Sequence, residues 1–472
     1  MALFSLPLSL HCLRTPLAIP AKIETSISNP QTLVPDQKLV ISGGLKLSGH
    51  AQISGSKNSA LAVLAGDIVC SDGPSLIRGL PDLVDTRTMA EVLVSLGAKV
   101  EEMGGGDLVV DAREVSSVEP CEDAIGRIRA GIFVLGPLVA RFGEAEVSLP
   151  GGCRIGARPI DLYLRGLEAL GANVQLRDGK VCVRAANGRG LVGAHFHLSF
   201  PSVGATETLM MAATMAEGVS VLTNAAQEPE VLDLAEFLIA SGACIEGAGT
   251  STIVITGRKQ LHGCEFTIIP DRIEAGTFMI AAAITRSCIS LSPVIPKHLE
   301  SLVDKLAIAG CKITLRGPRI LEVSATASRT GGDLQSFNLV TSPYPGFPTD
   351  LQPQCMSLLA TCNGKSKIDE SVFENRMHHV KELQKLGAGI ELNGNSASVE
   401  GRRTPWWMAL RGCHVEAADL RGGAALVLAG MAAEGTTEVA GVAHIDRGYQ
   451  GLETKLQSLG ANIKREVDSM PQ

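Results

Sequence analysis

One glycine-rich loop, Leu149–Pro159, carries the residue types best suited to chemistry. It places one cysteine, Cys153, close to two arginines, Arg154 and Arg158. Glycines let such a loop close over a ligand, and neighbouring guanidinium groups lower the pKa of a thiol and attract anions. The loop therefore predicts acid–base or nucleophilic chemistry on an anionic substrate. The alternative interpretation is a surface turn with an incidental cysteine.

The composition limits the class of protein that could carry this chemistry. The chain has 472 residues, enough for two or three domains, and only 3% of them are aromatic. The formal net charge of -7 argues against a general nucleic-acid binder, so an anion must bind in a local cationic pocket. Twelve cysteines without a C-x-x-C pair, and histidines without zinc-ligand spacing, predict free thiols in a reducing compartment and no metal site. The longest apolar runs are about half of the roughly 20 residues that span a bilayer, so no transmembrane helix is predicted.

Residues 1–37 differ in composition from the rest of the chain. They are rich in serine and threonine, and Glu24 is the only acidic residue before Asp36. This composition is typical of an organelle transit peptide, and we predict a disordered leader that is removed in the plastid stroma (chloroplast). A secretory signal is the rival because Ala2–Leu13 is apolar, but that segment lacks a charged n-region and dispersed thiols disfavour secretion. A cytoplasmic location is a further alternative.

A short signal recurs six times along the remaining chain. In each copy a glycine follows an amphipathic helix and precedes a strand with a β-branched residue, as in Leu170–Val174. The six glycines, separated by 74, 71, 68, 77 and 73 residues, are Gly97, Gly171, Gly242, Gly310, Gly387 and Gly460. Glycine at this position permits the left-handed turn that leads from a helix into the next strand.

An apolar, alanine-rich helix precedes each copy of that signal. The predicted helices are Lys57–Val69, Ile128–Ala140, Ser202–Ala216, Glu274–Ala283, Leu351–Ala360 and Gly422–Ala433. We expect these helices to be buried with the strands outside them, which makes each repeat a β-α-β-α-β-β unit of about 70 residues. An α/β solenoid used for binding is one alternative. The long period and the six copies favour an α/β protein with two globular halves of three repeats each.

Several motifs occur in an order that resembles one known family. They are Ser54–Ala60 (SGSKNSA), the Pro-Gly-Gly-Cys loop, Phe347–Asp350 (FPTD), Phe373–Arg376 (FENR), Ala418–Arg421 (ADLR) and His444–Tyr449 (HIDRGY). Together they resemble the UDP-N-acetylglucosamine 1-carboxyvinyltransferases, a family of enolpyruvyl transferases, from about Lys38 to Lys464. The resemblance implies two inside-out α/β barrel domains, each of three repeats, joined by a double crossover. One domain would span 57–269, and the other would combine 38–56 with 270–466.

The resemblance also implies a reaction and the residues that perform it. The family transfers the enolpyruvyl group of phosphoenolpyruvate to the 3-hydroxyl of UDP-N-acetylglucosamine and releases phosphate, the first committed step of peptidoglycan precursor synthesis. By this resemblance, Cys153 protonates the methylene carbon and Asp350 is the base beside the sugar hydroxyl. Asp419 would be a second catalytic carboxylate. The alternative for Asp350 is a helix N-cap, and for Asp419 a structural salt bridge to Arg421.

The same resemblance implies the substrate contacts. The phosphate of phosphoenolpyruvate would be bound by Lys57, Arg158 and Arg447, which are also expected to be catalytic. Its carboxylate would lie near Arg376 and Arg421. The remaining expected substrate contacts are Asn58, Arg129, Arg158, Pro159, Ile160, Asp161, Leu162, Ser202, Val203, Gly204, Asp350 and Phe373. The two small substrates are the expected partners, with no metal or organic cofactor, no nucleic acid and no membrane. The family resemblance suggests a monomer or weak oligomer.

Two segments depart from the family pattern. Phe200-Pro201 stands where some relatives have a lysine, so one diphosphate contact is expected to be absent or supplied elsewhere. Thr404–Met408, which holds both tryptophans, is predicted to be a small insertion used for packing or for a partner. The rival functions are 5-enolpyruvylshikimate-3-phosphate synthase-like activity and a catalytically silent binding scaffold. The Lys57-Asn58 pair and the segment Arg158–Leu162 favour the nucleotide sugar.

Overall fold

The alternation of apolar helices and short strands continues along the whole of the described chain. The computed structural model describes residues 37–151, 159–186, 188, 190–325, 334–401 and 410–467. The elements of the first half are β1 (Gln37–Ser42), β2 (Ser48–Gln52), α1 (Lys57–Gly66), β3 (Cys70–Asp72), β4 (Ser75–Arg78), α2 (Val84–Leu96), β5 (Lys99–Gly104), β6 (Asp107–Asp111), α3 (Glu122–Arg127), α4 (Leu135–Phe142), β7 (Glu144–Ser148), α5 (Asp161–Ala169), β8 (Ala172–Arg177), β9 (Lys180–Ala185), β10 (His195–His197), α6 (Val203–Ala213), β11 (Val219–Thr223), α7 (Pro229–Ala240), β12 (Cys244–Glu246), β13 (Thr252–Thr256), β14 (Leu261–His262) and β15 (Glu265–Thr267).

The second half continues the same alternation. Its elements are α8 (Arg272–Ile284), β16 (Cys288–Ser292), α9 (Glu300–Ala309), β17 (Lys312–Gly317), β18 (Ile320–Ser324), β19 (Leu339–Val340), α10 (Gln352–Leu359), β20 (Lys365–Asp369), α11 (His379–Lys385), β21 (Gly389–Asn393), β22 (Ser396–Glu400), β23 (His414–Glu416), α12 (Leu420–Ala432), β24 (Thr436–Ala440), α13 (Val442–Asp446), α14 (Leu452–Ser458) and β25 (Asn462–Val467). Short 3-10 turns occur at Asp67–Val69, Arg129–Val134, Pro296–Leu299 and Thr349–Leu351.

Within the described ranges the strands form six sheets of three or four strands and one two-stranded sheet. Five of these sheets have four strands, in the orders β15-β4-β6-β5, β10-β11-β13-β12, β2-β16-β18-β17, β19-β20-β22-β21 and β23-β24-β1-β25. In each of the five, the first strand runs parallel to the second and the other pairs are antiparallel. The sixth sheet, β7-β9-β8, has three antiparallel strands, and β14 pairs with β3 alone. The predicted sixfold α/β repeat is therefore confirmed.

The glycine turns have the conformation that the repeat signal predicts. Each of the six glycines follows a helix and has a φ between 86° and 105°, in the left-handed region. A side chain with a Cβ is strained at such a φ, which explains why glycine recurs at this point of each repeat.

The apolar helices lie inside and the sheets lie outside. Nine of the ten residues of α1 are buried, and α4, α6, α8, α10 and α12 are buried to a similar extent. The predicted helix at Ile128–Ala140 begins as the 3-10 turn and becomes α-helical only at Leu135. Small residues allow these helices to approach closely, since a Cβ at Gly136 in α4 would clash with a backbone carbonyl oxygen of α6.

The buried residues form two hydrophobic cores. The first core is built from residues between Ala60 and Ile268, and the second from Leu39–Ile53 and residues between Ile273 and Ile463. The chain passes twice between them, and the two passages are hydrogen-bonded side by side from Ser56 N to Ile269 O (2.7 Å) and from Asp271 N to Ser54 O (2.9 Å). This is the expected double crossover. The domain boundaries, 57–269 for one domain and 38–56 with 270–466 for the other, stay a prediction. No helix in the described ranges has the length and apolar character needed to cross a membrane.

Candidate active site

The described part of the chain contains most of the expected site residues. Cys153, Arg154 and Arg158 of the glycine-rich loop lie outside the described residues, as does the tryptophan-containing segment Thr404–Met408. Their expected roles therefore stay predictions.

Asp350 lies in the 3-10 turn just before α10, and two arginines hold its carboxylate. Oδ1 is 2.6 Å from Nη2 of Arg376, and Oδ2 is 3.5 Å from Nη2 of Arg421. Burial alone would raise the pKa of Asp350, but the two guanidinium groups outweigh it and hold that pKa well below its usual range. The N-cap alternative is wrong, because Pro348 and Leu351 occupy the cap positions of the turn and of α10 and neither position has a side-chain cap.

The two arginines are fixed by aromatic rings and by burial. The guanidinium carbon of Arg376 lies 5.4 Å from the ring centre of Phe373, and that of Arg421 lies 5.1 Å from the ring centre of Tyr449. Their side chains are only 3% and 2% exposed. Nε of each has no hydrogen-bond partner among the described residues. These buried donors suit a planar anion that binds beside Asp350.

Tyr449 is itself anchored in the second core. Its hydroxyl lies 2.9 Å from Oγ1 of Thr277 in α8 and accepts a hydrogen bond from Nε2 of Gln354 in α10 at 3.0 Å. The ring that supports Arg421 is therefore held by two of the buried central helices. The sequence contains Tyr449 in the HIDRGY motif but no signal for this contact.

Asp419 caps α12. Its Oδ1 accepts hydrogen bonds from the backbone N–H groups of Arg421 and Gly422, both at 2.9 Å. The proposed salt bridge between Asp419 and Arg421 is wrong, because the guanidinium group of Arg421 pairs with Asp350 instead. The role of Asp419 as a catalytic carboxylate stays a prediction.

His379 lies beside this helix start, with its Cβ next to Gly422, and the sequence carries no signal that singles it out. Its ring is buried, with no hydrogen-bond partner for either nitrogen among the described residues. Burial lowers the pKa of His379 to about 4, although the charge of Asp419 acts in the opposite direction. The ring is therefore neutral at neutral pH.

Lys57 and Arg447, the expected phosphate-binding cations, meet at a carboxylate that the sequence did not single out. Nζ of Lys57 is 2.9 Å from Oδ2 of Asp85, and Nε of Arg447 donates to Oδ1 of Asp85 at 2.8 Å. Burial alone would raise the pKa of Asp85, but the two cations outweigh it and lower that pKa. An acidic residue in the first turn of a helix is common, so the sequence carried no signal for this role.

The expected nucleotide-sugar contacts meet at the start of α6. Ser202 is the N-cap of α6, and a Cβ at Gly204 would clash with Oη of Tyr163 from α5 and with the ring of Phe133 from the 3-10 turn. This packing brings together three expected segments, namely Pro159–Leu162, Ser202–Gly204 and the turn that begins at Arg129. Within the first of them Ile160 and Leu162 are 8% exposed, whereas Pro159 is exposed. Asn58, the second residue of α1, is half-buried.

The N-termini of α1 and α8 lie side by side near these site residues. Asp271 caps α8 through its Oδ1, and its Oδ2 accepts from the backbone N–H of Lys57 at the start of α1 at 3.2 Å. Free N–H groups and the helix dipole make helix starts favourable for anions. The arrangement therefore offers several cations and helix N-termini to a substrate that carries more than one negative charge.

Comparison with known proteins assigns the family. A family model described as EPSP synthase (3-phosphoshikimate 1-carboxyvinyltransferase) matches residues 41–456. The chain belongs to this enolpyruvyl transferase family. It is therefore a transferase, as the sequence predicted.

Individual relatives show which members of the family this chain is similar to. The UDP-N-acetylglucosamine 1-carboxyvinyltransferase of Gloeobacter violaceus is 50% identical over 436 residues, 92% of each chain. The protein of that name from Synechocystis is 48% identical over 90% of this chain and 94% of its own. Among solved structures, the enolpyruvyl transferase NikO from Streptomyces tendae has a TM-score of 0.81 at 27% identity and covers 92% of this chain and 100% of its own. EPSP synthase from Acinetobacter baumannii, at 16% identity and a TM-score of 0.69, covers 91% of this chain and 100% of its own and shows the shared fold alone.

Proposed function

We propose that this enolpyruvyl transferase transfers the enolpyruvyl group of phosphoenolpyruvate to the 3-hydroxyl of UDP-N-acetylglucosamine and releases phosphate. The observation that carries the proposal is the presence of two separate cation pairs, Lys57 with Arg447 and Arg376 with Arg421. Phosphoenolpyruvate carries a phosphate and a carboxylate, so one pair suits each group. The 46–50% identity to enzymes with this acceptor in their name supports the nucleotide sugar over shikimate 3-phosphate.

The reaction is an addition followed by an elimination. The 3-hydroxyl oxygen bonds to C2 of phosphoenolpyruvate and loses its proton, while the methylene carbon C3 gains a proton. The resulting methyl group then loses a proton, the double bond forms again, and the C2–O bond to phosphate breaks. Cys153 is the expected donor to C3, and Asp350 is the expected acceptor of the hydroxyl proton.

Asp350 needs a change in its surroundings to act as a base. With both arginines paired to it, its carboxylate is ionised but only weakly basic, because protonation would break two ion pairs. A substrate carboxylate that takes over part of the pairing of Arg376 and Arg421 would raise the pKa of Asp350. Phosphoenolpyruvate binding would therefore make Asp350 a better base for the neighbouring hydroxyl.

The nucleotide sugar is assigned to the segment around the start of α6. The N-cap Ser202 and the following amides offer hydrogen bonds to a diphosphate or a sugar, and Ile160 and Leu162 offer apolar surface close to them. The pair Phe200-Pro201 stands where some relatives carry a lysine, and Phe200 is 42% exposed, so the helix N-terminus has to supply more of the diphosphate binding.

Phosphate release by the full chain tests this function. Phosphoenolpyruvate is supplied with UDP-N-acetylglucosamine, with shikimate 3-phosphate or alone, and we expect phosphate only with the nucleotide sugar. Cys153→Ala should abolish release, whereas Cys121→Ala, a matched change at an exposed cysteine, should leave it unchanged. Release with shikimate 3-phosphate would instead assign the sister activity, and no release with either acceptor would favour a binding scaffold.

The leader and the pathway belong to the same proposal. Residues 1–37 are proposed to direct the chain to the plastid stroma, where the reaction would begin peptidoglycan precursor synthesis. Likeness to the Synechocystis and Gloeobacter violaceus enzymes supports a plastid origin. A fluorescent protein fused after residue 37 should enter isolated chloroplasts and lose the leader. Fluorescence that stays outside, or an uncut fusion, would count against the leader.

A further inference from the structure

Asp85 takes no part in the chemistry proposed above, yet it contacts both described cations of the expected phosphate site. It is the second residue of α2 and is only 3% exposed. Each of its carboxylate oxygens has a cationic partner, Lys57 on Oδ2 at 2.9 Å and Arg447 on Oδ1 at 2.8 Å. One carboxylate therefore joins a lysine and an arginine from opposite ends of the chain.

The two cations come from different hydrophobic cores. Helices α1 and α2, which carry Lys57 and Asp85, pack in the first core, while α13, which ends just before Arg447, packs in the second. Two further hydrogen bonds cross at this place, from Nη2 of Arg447 to the carbonyl of Arg127 and from the backbone N–H of Asp82 to the side chain of Gln450, both at 3.3 Å. The start of α2 is therefore a contact between the cores.

Electrostatics explains why a carboxylate is needed there. The side chains of Lys57 and Arg447 are 9% and 17% exposed, so water screens their mutual repulsion poorly. A single negative charge between them offsets that repulsion and leaves a net positive charge for an incoming phosphate. An uncharged side chain at this position would leave two partly buried like charges to move apart.

We propose that Asp85 is a positioning residue that holds Lys57 and Arg447 side by side across the two cores, as one phosphate-binding pair. This inference rests on the proposed function, because it assumes that both cations receive the phosphate of phosphoenolpyruvate. Asp85 acts through the two cations and does not touch the substrate. The opposite possibility, that Asp85 competes with the phosphate for Arg447, predicts tighter phosphoenolpyruvate binding when its charge is removed.

The test measures phosphoenolpyruvate and UDP-N-acetylglucosamine separately in the full chain, by steady-state kinetics and by calorimetric binding. Asp85→Asn should raise the KM and Kd for phosphoenolpyruvate by about tenfold or more, because charge-assisted hydrogen bonds to both cations are weakened. The KM for UDP-N-acetylglucosamine should change by less than about twofold, since the nucleotide sugar does not depend on this pair. Asp82→Asn is the matched control, because within the described ranges its side chain pairs with Arg87 alone, on the surface, and it should leave both KM values unchanged.

The outcomes separate this inference from the proposed function. Asp85→Glu keeps the charge and should give a phosphoenolpyruvate affinity between those of the wild type and of Asp85→Asn; it also provides the answer if Asp85→Asn does not fold. Tighter phosphoenolpyruvate binding, unchanged binding, or equal weakening for both substrates would overturn the positioning role. The chain could show no turnover while Asp85→Asn still weakens phosphoenolpyruvate binding. That result would support the positioning role and reject only the proposed reaction.

Discussion

Asp350→Asn removes the charge between the two buried arginines while keeping the shape of the side chain. At an effective dielectric constant of about 20, unit charges attract by about 6 kcal/mol at the 2.6 Å of Arg376 and by about 5 kcal/mol at the 3.5 Å of Arg421. The cost of desolvating the groups offsets most of this attraction, and removing one partner of a buried pair costs about 3–5 kcal/mol. Because the Asp350 side chain is 24% exposed, we expect the lower value, about 3 kcal/mol of unfolding free energy at pH 7.

The pH dependence of that loss follows from the direction of the pKa shift. The pKa of Asp350 is lower in the folded chain than the 3.8 of an unperturbed aspartate. Its contribution to stability is therefore fully present above about pH 5 and disappears as the pH falls through the folded pKa. The difference in stability between wild type and Asp350→Asn should be constant from about pH 8 to about pH 5 and should shrink below about pH 4.

Urea unfolding followed by circular dichroism across this pH range measures the difference. Asp304→Asn, at an exposed position of α9, is the matched control and should change the unfolding free energy by less than about 0.5 kcal/mol. Phosphate release by Asp350→Asn should also fall by at least about a hundredfold, since the expected base is lost. Wild-type stability of Asp350→Asn at pH 7, or a difference that grows on acidification, would refute the electrostatic account of this site.

Three further predictions address the core and the anion site. Gly136→Ala should lower the unfolding free energy by about 1–3 kcal/mol, because its Cβ would clash with the backbone of α6. Gly126→Ala has open space around it and should leave the unfolding free energy unchanged or slightly raised. Urea titrations compare the two variants. In the wild type, the folded chain resists protonation of the buried His379 ring, so the unfolding free energy should fall by roughly 3 kcal/mol between about pH 6.5 and pH 4. His379→Gln should remove this loss. An identical dependence of unfolding free energy on pH in wild type and variant would contradict the prediction. Arg421→Lys should raise the KM for phosphoenolpyruvate by about tenfold and the KM for the nucleotide sugar much less. The reason is that a lysine cannot both stack on Tyr449 and form paired hydrogen bonds through a planar guanidinium group. Equal changes in both KM values would argue against a carboxylate site.

The structure also changes the interpretation of particular residues in the site. Asp350 and Asp419 both precede a helix in the sequence, and each had a structural alternative. The capping role belongs to Asp419, through the backbone of Arg421, and the arginine pairing belongs to Asp350. A sequence pattern identifies a carboxylate before a helix, but the choice between an N–H group and a guanidinium group depends on which element packs opposite.

The amino-acid sequence by itself determined the sixfold repeat, the buried central helices and the left-handed glycine turns. These features depend on short-range patterns, because the helical period, small side chains and a positive φ act within a few residues. Only the tertiary structure decided that Asp85 joins Lys57 to Arg447 and that the buried ring of His379 has no hydrogen-bond partner among the residues the structure describes. Such contacts join residues far apart in the chain, and their strength depends on distances and on burial that exist only after the two cores have formed.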